Sequence, residues 1–221
     1  MENATGYSFP SGHTANATVL FGCIAAETKA KWKKILLVLL VLLIGFSRMY
    51  LGVHSPADVI TSWVIGGAFV VGISAANQLA EKSNKADIIL NAALVLYAII
   101  IVIYMEFMKS PADANSMDGL KNGYTILGLA LGLVTARYAD KYKLKWDTKA
   151  SVWGQILKCI CGIILIALTA FVVRQPAKLI TGGHYSHYAI RYFLIVAVGG
   201  ILWPMTFKFW SKLGTKKEET T

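Results

Sequence analysis

Acidic residues are scarce in this chain: 12 Asp and Glu stand against 22 Lys and Arg over 221 residues, giving a formal net charge of +10. Charged residues of both signs make up only 15% of the sequence and hydrophobic residues 56%, with a mean hydropathy of +0.55. The apolar residues exceed what one soluble core could hide, which excludes an ordinary soluble domain and points to an all-α polytopic transmembrane bundle. Cysteine is nearly absent. Cys23, Cys159 and Cys161 all lie inside apolar runs. The last two are two residues apart and point in different directions on a helix, so neither a disulfide nor a metal pair fits, and all three read as small buried hydrophobes. No basic, apolar leader precedes the first motif, because Met1 to Tyr7 is polar and short.

Seven apolar runs are present: Thr14 to Ala26, Ile35 to Leu51, Pro56 to Gln78, Ile88 to Phe107, Tyr124 to Ala136, Val152 to Val173 and Ala189 to Phe207. Each reads as a span. The first and fifth are short against the ~20 residues a lipid-facing helix needs. The third run holds Gly66, Gly67 and Gly72, small residues that permit close helix approach. Lys109 to Asn122 carries Pro111, Gly119 and several Asp and Asn residues, and reads as a loop. Gly128 and Gly132 have the spacing of a small-residue packing motif. Internal packing is the first reading for that pair, and a homo-oligomer through small-residue helix faces the weaker one.

Basic residues fall between the runs rather than along one stripe, which argues against a nucleic-acid partner and for membrane topology. If the runs alternate across the bilayer, fifteen Lys and Arg lie opposite the face that carries the sequence motifs described next, six lie on the motif face, and Lys158 falls inside a run. The positive-inside rule then places the motif face outside the cytoplasm and the C-terminus within it.

Two polar stretches interrupt this pattern, and both fall on one predicted face. The first is Pro10-Ser11-Gly12-His13, at the start of an apolar helical run. Backbone amides at a helix start, the Ser11 hydroxyl and the close approach allowed by Gly12 suit an anion, with His13 beside it. The competing reading is a plain helix start, with Ser11 as cap and a histidine at the membrane interface. The second stretch is Ser47-Arg48 followed by His54-Ser55-Pro56-Ala57-Asp58. Here Ser, Pro and Asp stand at the positions of a capping box. Asp58 also stands four residues after His54, where it could accept a hydrogen bond and fix the histidine tautomer.

These two stretches resemble the second and third signature motifs of the type 2 phosphatidic acid phosphatase superfamily, which includes lipid phosphate and undecaprenyl diphosphate phosphatases. The resemblance covers Phe9 to about Gln78. It implies that His54 is a nucleophile forming a phosphohistidine, oriented by Asp58. It further implies that His13 protonates the leaving group and then activates water, while Arg48, Ser11 and the Gly12 amide hold the phosphoryl oxygens. No metal or other cofactor is implied. The expected partners are a lipid phosphate substrate and the surrounding membrane lipids.

The family's upstream motif, a lysine followed six residues later by Arg-Pro, has no counterpart here; Arg174-Gln175-Pro176 does not match it. Residues 1–80 therefore read as the C-terminal part of a lipid phosphatase core, and residues 81–221 as additional transmembrane helices with no assigned role. The alternative is a catalytically inactive relative or assembly partner. A transporter is disfavoured because the long spans lack the carboxylates and paired cations expected on an ion path. Gly183-His184-Tyr185-Ser186-His187-Tyr188 holds two histidines three apart. An interfacial aromatic belt explains it more simply than a metal site does.

Overall fold

The computed structural model describes residues 9–212. It is helical, with α1 (Gly12–Glu27), α2 (Lys31–Tyr50), α3 (Pro56–Lys82), α4 (Asn84–Met108), α5 (Ala114–Ala139), α6 (Val152–Val172), α7 (Arg174–Ile180), α8 (His187–Ala197), α9 (Trp203–Met205) and α10 (Phe207–Trp210). Wide π turns extend α5 over Asp140–Leu144 and join α8 to α9 over Val198–Leu202. The chain forms two compact units, one up to Leu90 and one from Asn91, divided within α4.

In the first unit α1 and α3 pack side by side. Gly66 makes this possible, since a methyl group there would lie 2.7 Å from Cβ of Thr18; at Gly22 it would lie 2.6 Å from Cγ2 of Val70. Residue 18 faces 66 and residue 22 faces 70, so the two helices run parallel with their N-termini together. Helix α2 runs back toward these starts and meets α3 at Gly45, where a methyl group would lie 2.5 Å from Cζ2 of Trp63. Gly67 and Gly72, read from sequence as contact residues, have no other atoms near their Cβ positions and lie outside this seam.

In the second unit α5 packs on α8 through Gly128, against the backbone of Ala189, and Gly132, against Val196. The glycine pair thus serves packing within the chain. Helix α5 is also longer than its apolar run. Asp113 caps it by accepting from the amides of Asn115 and Ser116, at 3.0 and 3.2 Å. Much of the expected loop from Lys109 to Asn122 is therefore helix, because the cap starts it well before its first apolar turn.

Buried side chains are mostly small, as with Ala17, Val59, Ala98, Ala130 and Ala136, whereas Leu39, Leu43, Phe69, Ile100, Phe107 and Phe171 are exposed. This inside-out pattern is what lipid as solvent allows. It also places Cys159 on an exposed face of α6 rather than in a core; Cys23 and Cys161 are half-buried, and all three are free thiols. Among the described residues four helices are long and apolar enough to cross a membrane: Pro56–Lys82, Asn84–Met108, Val152–Ile180 and His187–Met205. Each of the seven sequence runs lies on helix. Helix α1, with 16 residues, is shorter than a span needs, and α2 carries Lys31, Lys33, Lys34 and Arg48 near its ends. Lys158, inside α6, is buried, donates to the Thr148 carbonyl at 2.7 Å and lies 4.4 Å over the Phe207 ring. Its stem is covered while its charge reaches polar backbone.

Candidate active site

The two polar stretches meet at the paired starts of α1 and α3. The Ser11 amide donates to the Asp58 carbonyl at 3.4 Å. The Ser62 hydroxyl, one turn into α3, lies 2.7 Å from the Asp58 carbonyl and 3.0 Å from the Ser11 carbonyl, and bridges the two helix starts. Ser62 and Ser11 are fully buried. Parallel helices with adjoining N-termini place two positive dipole ends together, which favours an anion.

Ser11 caps α1: its Oγ accepts from the Thr14 amide at 3.5 Å and from the Thr14 hydroxyl at 3.0 Å. The first intrahelical bond runs from the Ala15 amide to the Ser11 carbonyl at 2.9 Å. The amides of Gly12 and His13 therefore precede the helical ladder and are donors without an intrahelical partner. Gly12 and His13 are both exposed, and a Cβ at Gly12 would meet nothing within 4 Å. That side of the helix start is open to an approaching group.

The entry to α3 is tightly specified. Ser55 and Asp58 form the reciprocal capping box: the Ser55 amide donates to Asp58 Oδ2 at 2.8 Å, the Asp58 amide donates to Ser55 Oγ at 3.3 Å, and Pro56 occupies the first turn. Before it, α2 ends in a left-handed turn at Gly52, whose φ is +67°. The Val53 amide donates to the Arg48 carbonyl at 3.3 Å and the Gly52 amide to the Met49 carbonyl at 2.9 Å, the paired bonds of a Schellman ending. A residue with a Cβ is strained at this φ. One glycine-dependent turn thus holds Arg48 on one side and leads straight into His54 on the other.

His54 Nδ1 lies 3.6 Å from Asp58 Oδ2, with both side chains largely buried. That separation is longer than the hydrogen bond expected from the sequence, and Oδ2 accepts from the Ser55 amide. Among the described residues Nδ1 has no hydrogen-bond partner, and neither does the buried Nε of Arg48. With Nδ1 turned to the carboxylate, Nε2 is the ring nitrogen left for chemistry. Among the described residues His13 makes no hydrogen bond to His54, Arg48 or Asp58.

Residues 1–82 match the model of the PAP2 superfamily, and residues 124–216 match that of the PAP2 superfamily phosphatase, transmembrane extension. The chain belongs to the PAP2 superfamily. It is similar to an undecaprenyl-diphosphatase of Sulfolobus acidocaldarius, with 42% identity over 67 residues, covering 28% of this chain and 30% of the relative. It is 35% identical over 194 residues to lipid phosphate phosphatase delta of Arabidopsis thaliana, covering 80% of this chain and 45% of the relative. A lipid A 4'-phosphatase of Bacteroides thetaiotaomicron is 36% identical over 62 residues, covering 28% of each chain. The chain thus spans less than half the length of the curated relatives it matches. No solved structure matches it significantly. Membership of the PAP2 superfamily, its transmembrane extension and the four apolar helices together make this a multi-pass membrane protein.

In this PAP2 chain Ser62 and Thr14 were not singled out from sequence. Ser62 stands one turn after Asp58 on the same face of α3, a spacing that could have flagged it; its partner Ser11 lies 51 residues away, and no local pattern reveals that contact. Among the described residues no three His, Cys, Asp or Glu side chains group to hold a metal ion. His184 and His187 have other partners. His184 Nδ1 accepts from the Ser186 amide at 3.2 Å and its Nε2 lies 3.4 Å from Glu106, while His187 Nδ1 donates to the His184 carbonyl at 2.6 Å.

Proposed function

We propose that this protein hydrolyses a phosphomonoester or diphosphate carried on a membrane lipid, through a phosphohistidine on His54. The observation that carries the reading is the His54–Asp58 pair, turned Nδ1 to carboxylate at 3.6 Å, beside two adjoining helix N-termini. The names of the relatives support the substrate class, and an isoprenoid, glycerolipid or sphingoid carrier fits it.

In the first step the Nε2 lone pair of His54 attacks phosphorus, and the bond from phosphorus to the lipid-side oxygen breaks. Protonated His13 gives its proton to that oxygen, so lipid alcohol, or lipid phosphate from a diphosphate, departs. In the second step neutral His13 takes a proton from water as the water oxygen attacks phosphorus. The P–N bond breaks, and inorganic phosphate leaves. Asp58 keeps the Nδ1 proton in place and stabilises the charge that the ring gains. The Arg48 guanidinium and the amides of Gly12 and His13 hold the non-bridging oxygens, where charge builds in the transition state. Ser11 acts chiefly by holding the α1 start in place, since its oxygen already accepts from Thr14.

None of these steps uses a metal. Phosphate release from a lipid phosphate by the purified membrane protein is therefore expected to persist in excess EDTA and to be inhibited by vanadate, which mimics phosphate in its five-coordinate state. Loss of activity in EDTA that is restored by a divalent cation would overturn the scheme. The charge distribution supports a site facing away from the cytoplasm. Lys31→Cys is then expected to be shielded from a membrane-impermeant thiol reagent in intact cells, whereas ready labelling would reverse the orientation.

A further inference from the structure

The second unit holds a cationic pocket that the proposed hydrolysis does not use. It is a cavity of about 290 Å³ between α7, the turn that follows it and α8, and Arg174, Lys178, Arg191, His187, Tyr185 and Tyr188 supply its chemistry. No carboxylate lines it. Among the described residues Arg174, Lys178 and Arg191 form no ion pair. Glu106, an acidic group near this end of the unit, is committed to Lys109 at 2.6 Å and to the Tyr124 hydroxyl at 2.7 Å. Three cations gathered without a counter-charge repel one another, and that arrangement favours an anion between them.

The local structure builds the pocket rather than merely permitting it. Helix α7 ends in a left-handed turn at Gly182 and Gly183, with φ of +61° and +82°. The Gly183 amide donates to the Lys178 carbonyl at 2.9 Å and the Gly182 amide to the Leu179 carbonyl at 3.2 Å, which folds the following segment back beside α7. Arg191 is anchored by Nε, which donates to the Ala170 carbonyl at 3.2 Å, leaving its terminal nitrogens for a ligand. His187 spends Nδ1 on the His184 carbonyl and keeps Nε2.

We propose that this pocket binds the phosphate-bearing head group of an anionic membrane lipid. Its volume is near the lower end for ligand pockets, suited to a head group and not to a whole lipid. Its position favours a lipid over free phosphate. It opens where two helices apolar enough to span the bilayer end and begin, and Leu179 and Ile180 beside Lys178 on α7 are largely exposed, as at an acyl boundary.

The test titrates the purified full chain in detergent with dihexanoyl phosphatidylglycerol, whose phosphodiester is not the bond assigned to the α1–α3 site. Dihexanoyl phosphatidylcholine serves as zwitterionic control and inorganic phosphate as competitor. The double variant Arg174→Gln/Lys178→Gln alters two exposed side chains, so folding is expected to be kept, with thermal melting as the check. Its dissociation constant for phosphatidylglycerol is expected to rise about 30-fold, from roughly fivefold per cation. Arg48→Gln, which removes the guanidinium assigned to the phosphoryl oxygens of the catalytic site, is expected to leave it unchanged, which separates this site from the proposed catalytic one. Equal affinity in the double variant and the parent overturns the proposal. Displacement of the lipid by inorganic phosphate at matching concentration would make this a free-phosphate site and overturn the lipid assignment.

Discussion

Replacing His54 with alanine is expected to lower phosphate release from a lipid phosphate by about 10³-fold or more, with little change in thermal stability. The size follows from the lack of a substitute nucleophile around the helix starts among the described residues. Ser11 is fully buried, and its oxygen accepts from Thr14. Ser55 Oγ is committed to the Asp58 amide, and Ser62 Oγ bridges two carbonyls. None can replace the ring nitrogen without dismantling the cap that positions it. The stability expectation follows from the ring's own contacts: among the described residues Nδ1 has no hydrogen-bond partner, and the fold of this corner rests on the capping box and the Ser62 bridge. Initial rates on matched amounts of folded protein decide the matter, and an unchanged rate would refute the assignment.

Asp58→Asn separates two roles of one side chain. Asparagine keeps an oxygen able to accept from the Ser55 amide, now 2.8 Å from Asp58 Oδ2, so the start of α3 is expected to survive with a melting temperature within a few degrees of the parent. What changes is the partner of His54. A neutral amide neither holds the proton on Nδ1 nor stabilises positive charge on the ring. Its oxygen, held by the Ser55 amide where Oδ2 now stands, faces Nδ1 without the negative charge that balances the ring. A fall in kcat of about 10²- to 10⁴-fold is expected, with a much smaller change in KM. Were Asp58 only a cap, the variant would lose stability and keep the kcat of its folded fraction.

The parts of the site that were legible from sequence are those made by neighbours along the chain. Ser55, Pro56 and Asp58 announce the capping box because its bonds span three residues, and the structure holds both of them. Apolar runs announced the helices for the same reason. Where polar residues begin a helix the pattern failed: α5 starts at Ala114 under the Asp113 cap, inside a stretch rich in turn formers. Ser62 was silent because its bridge to Ser11 exists only after α1 and α3 have packed, and that packing depends on the fit of Gly66 to Thr18. Gly66 and Gly67 are equivalent as residues and differ only in which side of α3 meets α1. The cationic pocket was hidden for a related reason. Arg174, Lys178 and Arg191 count in the sequence only among the six basic residues of the motif face, and only the fold of α7 against α8 collects them.

The most direct test of the account is to look for the covalent intermediate. The protein is mixed with a lipid phosphate carrying ³²P, quenched in base, where phosphohistidine survives and phosphoserine and acyl phosphate do not, and digested for peptide mapping. The account predicts label on the peptide that contains His54 and none in His54→Ala. A parent enzyme that turns over its substrate without ever carrying label, or carries it on another residue, would contradict it.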